Sequence, residues 1–222
     1  MPSPIGHALA GLTIAWAAGP PADSTTSADP GGRSSDTSGL QITPLTWACL
    51  AAAVLPDLDL VHYPLHRTIS HSFGFTLLIM IIAAGVTGWV TGRVRWRAAL
   101  VVGAAHASHI LLDWLGVDRF APAGIEALWP VSHHWYISGW DVFLPTERRD
   151  VLSMRTFAIN LRAAVRELAI MGTIAAATWS VRRRRRSRVQ SSAQDVPPPP
   201  SGAAGDRGDT SDRRGRCAAR SE

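Results

Sequence analysis

The chain contains no lysine: all 22 of its basic residues are arginine. That excludes chemistry resting on a lysine, such as a Schiff base or a P-loop. Cysteine is almost missing as well. Cys49 lies in an apolar run and Cys217 in the tail, so neither a disulfide framework nor a zinc ribbon is available. Charge is scarce, at 18% of residues, where an average soluble chain carries about 25%. Most of that charge sits in the last third and in two arginine clusters. A mostly disordered chain is excluded, and an ordinary soluble globule fits poorly.

What is present is a very apolar body with a polar tail. Five apolar segments stand out at Ile5–Ala18, Leu45–Leu55, Phe73–Val90, Ala98–Leu115 and Phe157–Val181. The third has no charge, and a bilayer span takes about 20 such residues. The fourth is as long but holds His106, His109 and Asp113, and the fifth has an amphipathic start with Arg162, Arg166 and Glu167. The first two are short, so they span marginally or form a re-entrant hairpin. The N-terminal segment lacks the basic flank of a signal peptide. Pro20–Gly39 is rich in Gly, Pro, Ser, Thr and Asp and reads as a flexible loop. The expectation is an all-α integral membrane bundle of about three to five segments over residues 1–181, with 20–43 as a loop insertion. Residues 182–222 are expected to form a basic, disordered tail.

The net charge of +5 points at first to nucleic acid, but the arginines cluster at the ends of apolar runs. Arg93, Arg95 and Arg97 follow the third segment, and Arg182–Arg186 with Arg188 follow the fifth. Positive flanks stay cytoplasmic. Both clusters give one topology, a multi-pass protein of the inner or plasma membrane with a cytoplasmic C-terminus. Trp89, Trp96, Trp114 and Trp179 near segment ends suit interfacial aromatics. No nucleic-acid partner is expected.

Acids and histidines interrupt the apolar body in a pattern. Asp57 and Asp59 stand in VLPDLDL, and His62, His66, Arg67 and His71 follow. At about 100° per residue, His106, His109 and Asp113 form one polar stripe on the fourth segment. Ionisable groups in a membrane segment are costly and usually face a site or cavity. The topology brings Asp57–His71 and Asp113 to one membrane face, the outer one. His7 joins them if the N-terminus is also outside. Singly, each motif has a plain alternative. An Asp-x-Asp pair is commonly a turn or cap, His106 suits a packed core histidine, and His62, His133 and His134 suit loops. Together, histidines and carboxylates converging on one face suit zinc or manganese.

At these residues the sequence resembles the YdjM-like family of membrane-bound metal-dependent hydrolases, some described as LexA-regulated inner-membrane proteins. The motifs that carry the resemblance are GHALAG (Gly6–Gly11), LPDLD (Leu55–Asp59), HRTISHS (His66–Ser72), SHILLD (Ser108–Asp113) and PAGIEALWP (Pro122–Pro130). Carried over position by position, the family's polar residues fall on His7, Asp57, Asp59, His66, Arg67, His71, His109 and Asp113. Leu60 departs from a His usual after the second acid, and His62 is the nearest substitute. Thr68 and Ser70 replace the usual Gly and Thr. More remotely the family is similar to zinc-dependent phospholipase C and P1-type nucleases, which implies phosphoester chemistry.

The expected function is hydrolysis of a phosphoester or lipid-linked substrate through a metal-activated water. His7, Asp57, Asp59, His66, His71, His109 and Asp113 would hold divalent ions, zinc first and manganese second. Asp59 and Arg67 would carry catalytic roles, Arg67 by holding a phosphate. The expected partners are membrane lipids and a small or lipid-linked substrate. A metal transporter or sensor and a non-catalytic membrane scaffold are the alternatives.

Overall fold

Helix starts follow local capping chemistry. In the computed structural model, which describes residues 2–19, 42–59, 66–147, 150 and 152–194, five α-helices form. Helix α1, Pro4–Ala18, opens with Ser3 at the N-cap and Pro4 in the first turn, where a missing N–H costs nothing. Helix α2, Pro44–Val54, opens with a reciprocal cap between Thr43 and Thr46 and again a proline. Helix α3, Phe73–Thr91, is capped by the Ser72 hydroxyl, which accepts from the Phe75 N–H at 3.0 Å, and ends at Gly92 in the left-handed region. Helix α4 spans Trp96–Trp114 and α5 spans Met154–Gln194. The described residues hold two isolated β-bridges and no strand.

Helix α4 is the hub, packed against α1, α2 and α3. Alternate directions along the chain bring the start of α1, the end of α2, the start of α3 and the end of α4 to one end of the bundle. At the other end Arg97 donates to the Ala18 carbonyl and so satisfies an orphan acceptor where α1 stops. The half of the core away from the polar end is built from small side chains, with Ala15, Cys49, Ala52, Val102 and Ala105 buried together. Close helix approach explains the small residues. A Cβ on Gly11 would lie 2.7 Å from the Cys49 carbonyl oxygen and 2.8 Å from the Ala53 methyl, so α1 and α2 meet as small-residue membrane helices do.

Two helices among the described residues, α3 and α4, are long and apolar enough to cross a membrane. Their burial differs in a telling way. Half of the most apolar stretch of α4 is buried in the protein, but only 11% of that of α3. A helix this apolar and this exposed suits hydrocarbon rather than water. Leu77, Leu78, Ile81, Ile82 and Val86 all face outward from α3.

After α4 the chain runs through an irregular segment tied back to the helix ends. The Val142 N–H donates to the Leu115 carbonyl at 2.9 Å, Ser138 to Trp114 at 2.9 Å, and Phe73 at the head of α3 donates to Ala127 at 2.9 Å. Helix α5 buries one stripe, Ala163, Glu167, Met171 and Ala175, at helical spacing. Met171 packs with Ala10, Leu112 and Phe143. Met1–Arg185 is one compact unit, and the rest of α5, to Gln194, falls in a second. The helix thus continues past residue 181, where the sequence suggested the tail begins, through an arginine run that itself favours helix. The Pro20–Gly39 loop, His62 and the chain beyond Gln194 lie outside the described residues.

Candidate metal centre

Four chain elements deliver polar side chains to one end of the bundle. His7 comes from the second turn of α1, Asp57 and Asp59 from a tight turn over residues 55–59 after α2, and His66 and His71 from the turn before α3. His109 and Asp113 come from the last turns of α4. His7, His71, His109 and Asp113 are essentially inaccessible to solvent.

Asp113 is the centre of the group. Its Oδ1 lies 3.4 Å from His7 Nε2, and its Oδ2 lies 3.3 Å from His71 Nε2 and 3.2 Å from His109 Nε2. The His7 and His109 rings stack at 3.7 Å between centroids. Three ligand-like triads result: His7–His109–Asp113, Asp57–His71–His109 and Asp59–His66–His71, each with its donor atoms within 4.8 Å of one another. They share His109 and His71, so they form a row rather than three separate sites. The first two triads are buried. The third is the accessible end, because the side chains of Asp59 and His66 keep 14% and 9% of their surface.

Hydrogen bonding tests whether this group fits a cation. The His109 Nδ1 bonds to the Ala53 carbonyl at 2.8 Å. A carbonyl only accepts, so Nδ1 carries the proton and a neutral ring turns its Nε2 lone pair toward Asp113. A lone pair 3.2 Å from a carboxylate oxygen is repulsive unless the ring is charged or a cation sits between them. Both Asp113 oxygens, both His7 ring nitrogens, His71 Nε2, His109 Nε2 and Asp57 Oδ2 are buried with no hydrogen bond of normal geometry. Buried polar atoms are rarely left so. Imidazole and carboxylate donors together suit zinc, and the residues fit such an ion.

Asp59 serves the histidines more than it faces inward. One oxygen lies 2.6 Å from His66 Nδ1, and the other meets His71 Nδ1 at 3.2 Å and accepts from the Ser70 hydroxyl. A carboxylate behind an imidazole fixes the ring's orientation and raises its basicity. Burial opposes ionisation of Asp59, but the bonds from His66 and His71, the His71 charge and the Ser70 hydroxyl hold its carboxyl well below the usual carboxylate range. His71 shows the other side of the pair. Burial alone would lower it, and the carboxylates of Asp113 and Asp59 lift it to about 9.

The remaining sequence candidates are placed elsewhere. Arg67 pairs with Asp118 and lies over the Trp135 ring, 5.5 Å from its centroid. Its backbone takes φ 70°, and its carbonyl accepts from the Glu126 N–H at 3.0 Å. These contacts tie the turn before α3 to the segment after α4. The guanidinium expected to hold a phosphate is therefore already committed to a carboxylate and a ring. His106 is buried beside the group but in none of the triads, and its Nδ1 bonds with the Thr76 hydroxyl at 2.8 Å. His133 sits 3.2 Å from Glu126 with its side chain mostly exposed.

Sequence reasoning gave no role to Glu167. It is fully buried on α5 and accepts from the Ser3 N–H at 2.7 Å and from the Ser3 hydroxyl, at the N-cap of α1. A carboxylate there complements the helix dipole. A Cβ on Gly6 would lie 2.9 Å from its Oε2, so the glycine beside His7 makes room for this acid. The available signal was that Glu167 is the sole acid within Phe157–Val181.

A sequence model of the YdjM inner membrane protein family matches residues 1–187. No curated protein and no solved structure matches the chain.

Proposed function

The chain belongs to the YdjM inner membrane protein family, and on that premise we propose that it is a membrane-bound, metal-dependent hydrolase of phosphoester or lipid-linked substrates. The observation that carries this reading is the pair of buried triads, His7–His109–Asp113 and Asp57–His71–His109, in which both Asp113 oxygens, His71 Nε2 and His109 Nε2 lack hydrogen bonds. His7, His109 and Asp113 would hold one ion; His109 Nε2 offers a single lone pair, so Asp57 and His71 would complete the surroundings of that same ion rather than build a second site through His109. Asp59, His66 and His71 stand at the accessible end, where a substrate would arrive. A bound zinc ion supplies Lewis acidity and brings a coordinated water near neutrality in acid strength. The chain's own part is orientation: Ala53 fixes His109, Asp59 fixes His66 and His71, and the apolar bundle excludes bulk water.

The topology belongs to the same proposal. Arg93 and Arg95 between α3 and α4, with Arg97 in the first turn of α4, favour a cytoplasmic position for that end, which puts the triads at the outer face and the C-terminus inside. Helix α5 would then cross as well, making the protein multi-pass. A site at the outer membrane surface suits an amphiphile.

The test is metal stoichiometry of the purified protein in nanodiscs, measured beside hydrolysis of a phosphoester and ester panel. Bound zinc and chelator-sensitive hydrolysis are the expected result. A protein that carries metal across liposomes yet hydrolyses nothing is a transporter. One that binds no metal at all is a scaffold.

A further inference from the structure

A groove opens on the flank of α4 next to the triads. Its wall is made by Phe73 of α3, Ile110, Leu111 and Trp114 of α4, and Leu128 and Tyr136 of the segment beyond, with a volume of about 230 Å³. Ile110 and Ala127 form its buried floor and pack with Ile125 in the core. The lining comes from the immediate sequence neighbours of the triads. Phe73 stands two residues after His71, Ile110 follows His109 and Trp114 follows Asp113. Successive helical residues turn by about 100°, so the groove and the triads occupy adjacent flanks of the same two turns of α4.

The geometry points to a hydrocarbon tail of a lipid phosphate as the occupant. Three observations converge on it. The lining side chains are aliphatic or aromatic, and none is charged. Next, the groove is continuous with the lipid-facing surface. Phe73, Leu77 and Ile81 form an exposed ridge at i, i+4 spacing along α3, and Leu100 and Leu111 lie on one exposed face of α4. Both ridges run to the groove, whose rim residues Phe73 and Leu111 are each 50% exposed. Finally, size decides between tail and headgroup. Small-molecule sites occupy about 300–1,000 Å³ and keep a few convergent polar groups, whereas this groove is smaller and offers only the Tyr136 hydroxyl and the Trp114 indole N–H. It therefore receives part of one chain while the polar head lies toward Asp59 and His66. This inference names the substrate class for the site proposed above and rests on that reading for its purpose. Occupancy of the groove can be measured without it.

The experiment uses the full-length protein in nanodiscs doped with a phosphatidic acid whose acyl chain carries a diazirine. After irradiation, labelled residues are mapped by mass spectrometry. Leu111, Trp114 and Leu128 should be labelled more strongly than Ile81, which samples only the surrounding lipid. Ala127→Phe fills the floor and should cut groove labelling about fivefold, leaving Ile81 labelling unchanged. Leu128→Asp, at the rim, is the second variant should the first fail to fold, and it should act in the same direction. Asp113→Asn should keep the groove label. That outcome sustains the groove even if the metal reading fails, while a labelled groove in a protein without hydrolysis sinks only the latter. Equal labelling of groove and ridge means a lipid-facing surface and no subsite. Cross-linked dimers with an unlabelled groove assign it to a second copy. Either result overturns the inference.

Discussion

His109 Nε2 lies 3.2 Å from Asp113 Oδ2 one helical turn on, while its Nδ1 bonds to the Ala53 carbonyl. The ring is locked by backbone on one side and faces a carboxylate with the other. Removing the charge with minimal change of shape isolates the interaction. Asp113→Asn should lower zinc affinity and any turnover by at least about 10–100-fold, the scale for disturbing even the partners of metal ligands, with insertion intact. His109→Ala should do the same. His106→Ala should spare metal content and cost about 1–2 kcal/mol of stability for the lost Thr76 bond. Elemental analysis beside thermal unfolding separates the two classes. Unchanged metal in Asp113→Asn would mean that the triads hold no ion.

His71 makes the site sensitive to pH. Asp113 and Asp59 raise it to about 9 in metal-stripped protein, against about 6.5 for a free imidazole. Its ion pairs therefore stabilise fully below about 6.5, and that stabilisation disappears as pH rises through about 9. Stripped protein should lose thermal stability across this window. Zinc-loaded protein should show the opposite slope, because the ion must displace the His71 proton and binds more tightly as pH rises. Thermal melts from pH 6 to 9.5, with chelator and with zinc, check both signs. Parallel slopes in the two series would remove His71 from the ligand set.

Glu167 and Gly6 should behave as a coupled pair. Glu167→Ala removes both bonds to the half-buried Ser3 donors and should cost about 1–3 kcal/mol, at about 0.5–1.5 kcal/mol each. Gly6→Ala pushes a methyl to 2.9 Å from the Glu167 carboxylate and should also destabilise. The double variant should be less damaged than the sum of the two, since the clash disappears with the acid. Because Ser3 sets the start of α1, zinc content should fall with Glu167→Ala through displacement of His7. Additive unfolding free energies would show the two residues to be independent.

Arg67→Lys keeps the charge but loses the fork and the planar stack on Trp135. Metal content should remain near the wild-type value, while the segment after α4 loosens. Faster hydrogen exchange at Asp118 and Gly124, whose N–H donates to Asp118 at 2.8 Å, is the readout. Loss of zinc in this variant would instead bring Arg67 into the metal centre's support.

Orientation has a direct check. Reporter fusions after Arg97 and after Arg188 should both report the cytoplasm. An external signal from either reverses the face on which Asp113 lies.

The parts of this molecule that could be read from sequence were those written locally. The apolar runs gave α1 to α4 to within about two residues, because hydrophobic length is a short-range signal. The meeting of Asp57, His71 and Asp113 was also accessible, since helices of alternating direction return to the same end. Long-range partners were not. Nothing near Glu167 announces Ser3 at the other end of the chain, and nothing near Arg67 announces Asp118 and Trp135. The left-handed backbone of Arg67 is equally invisible to pattern. His106 and His109 looked alike on one helical stripe. Each has its Nδ1 bonded and its Nε2 buried, and what separates them is that His109 Nε2 meets Asp113 whereas His106 belongs to no triad.

The donors around Asp113 come from four elements, and during synthesis His7 is made first and Asp113 last. If these donors hold an ion, the earliest of them must wait until α4 has been inserted beside α1. Ion capture and helix assembly are then one equilibrium, and each tenfold rise in free ion above its dissociation constant adds about 1.4 kcal/mol to the packed bundle. Metal supply would thereby become a checkpoint in biogenesis. A cell short of the ion would accumulate inserted but loosely assembled chains, open to membrane proteases, well before any catalytic deficit was felt.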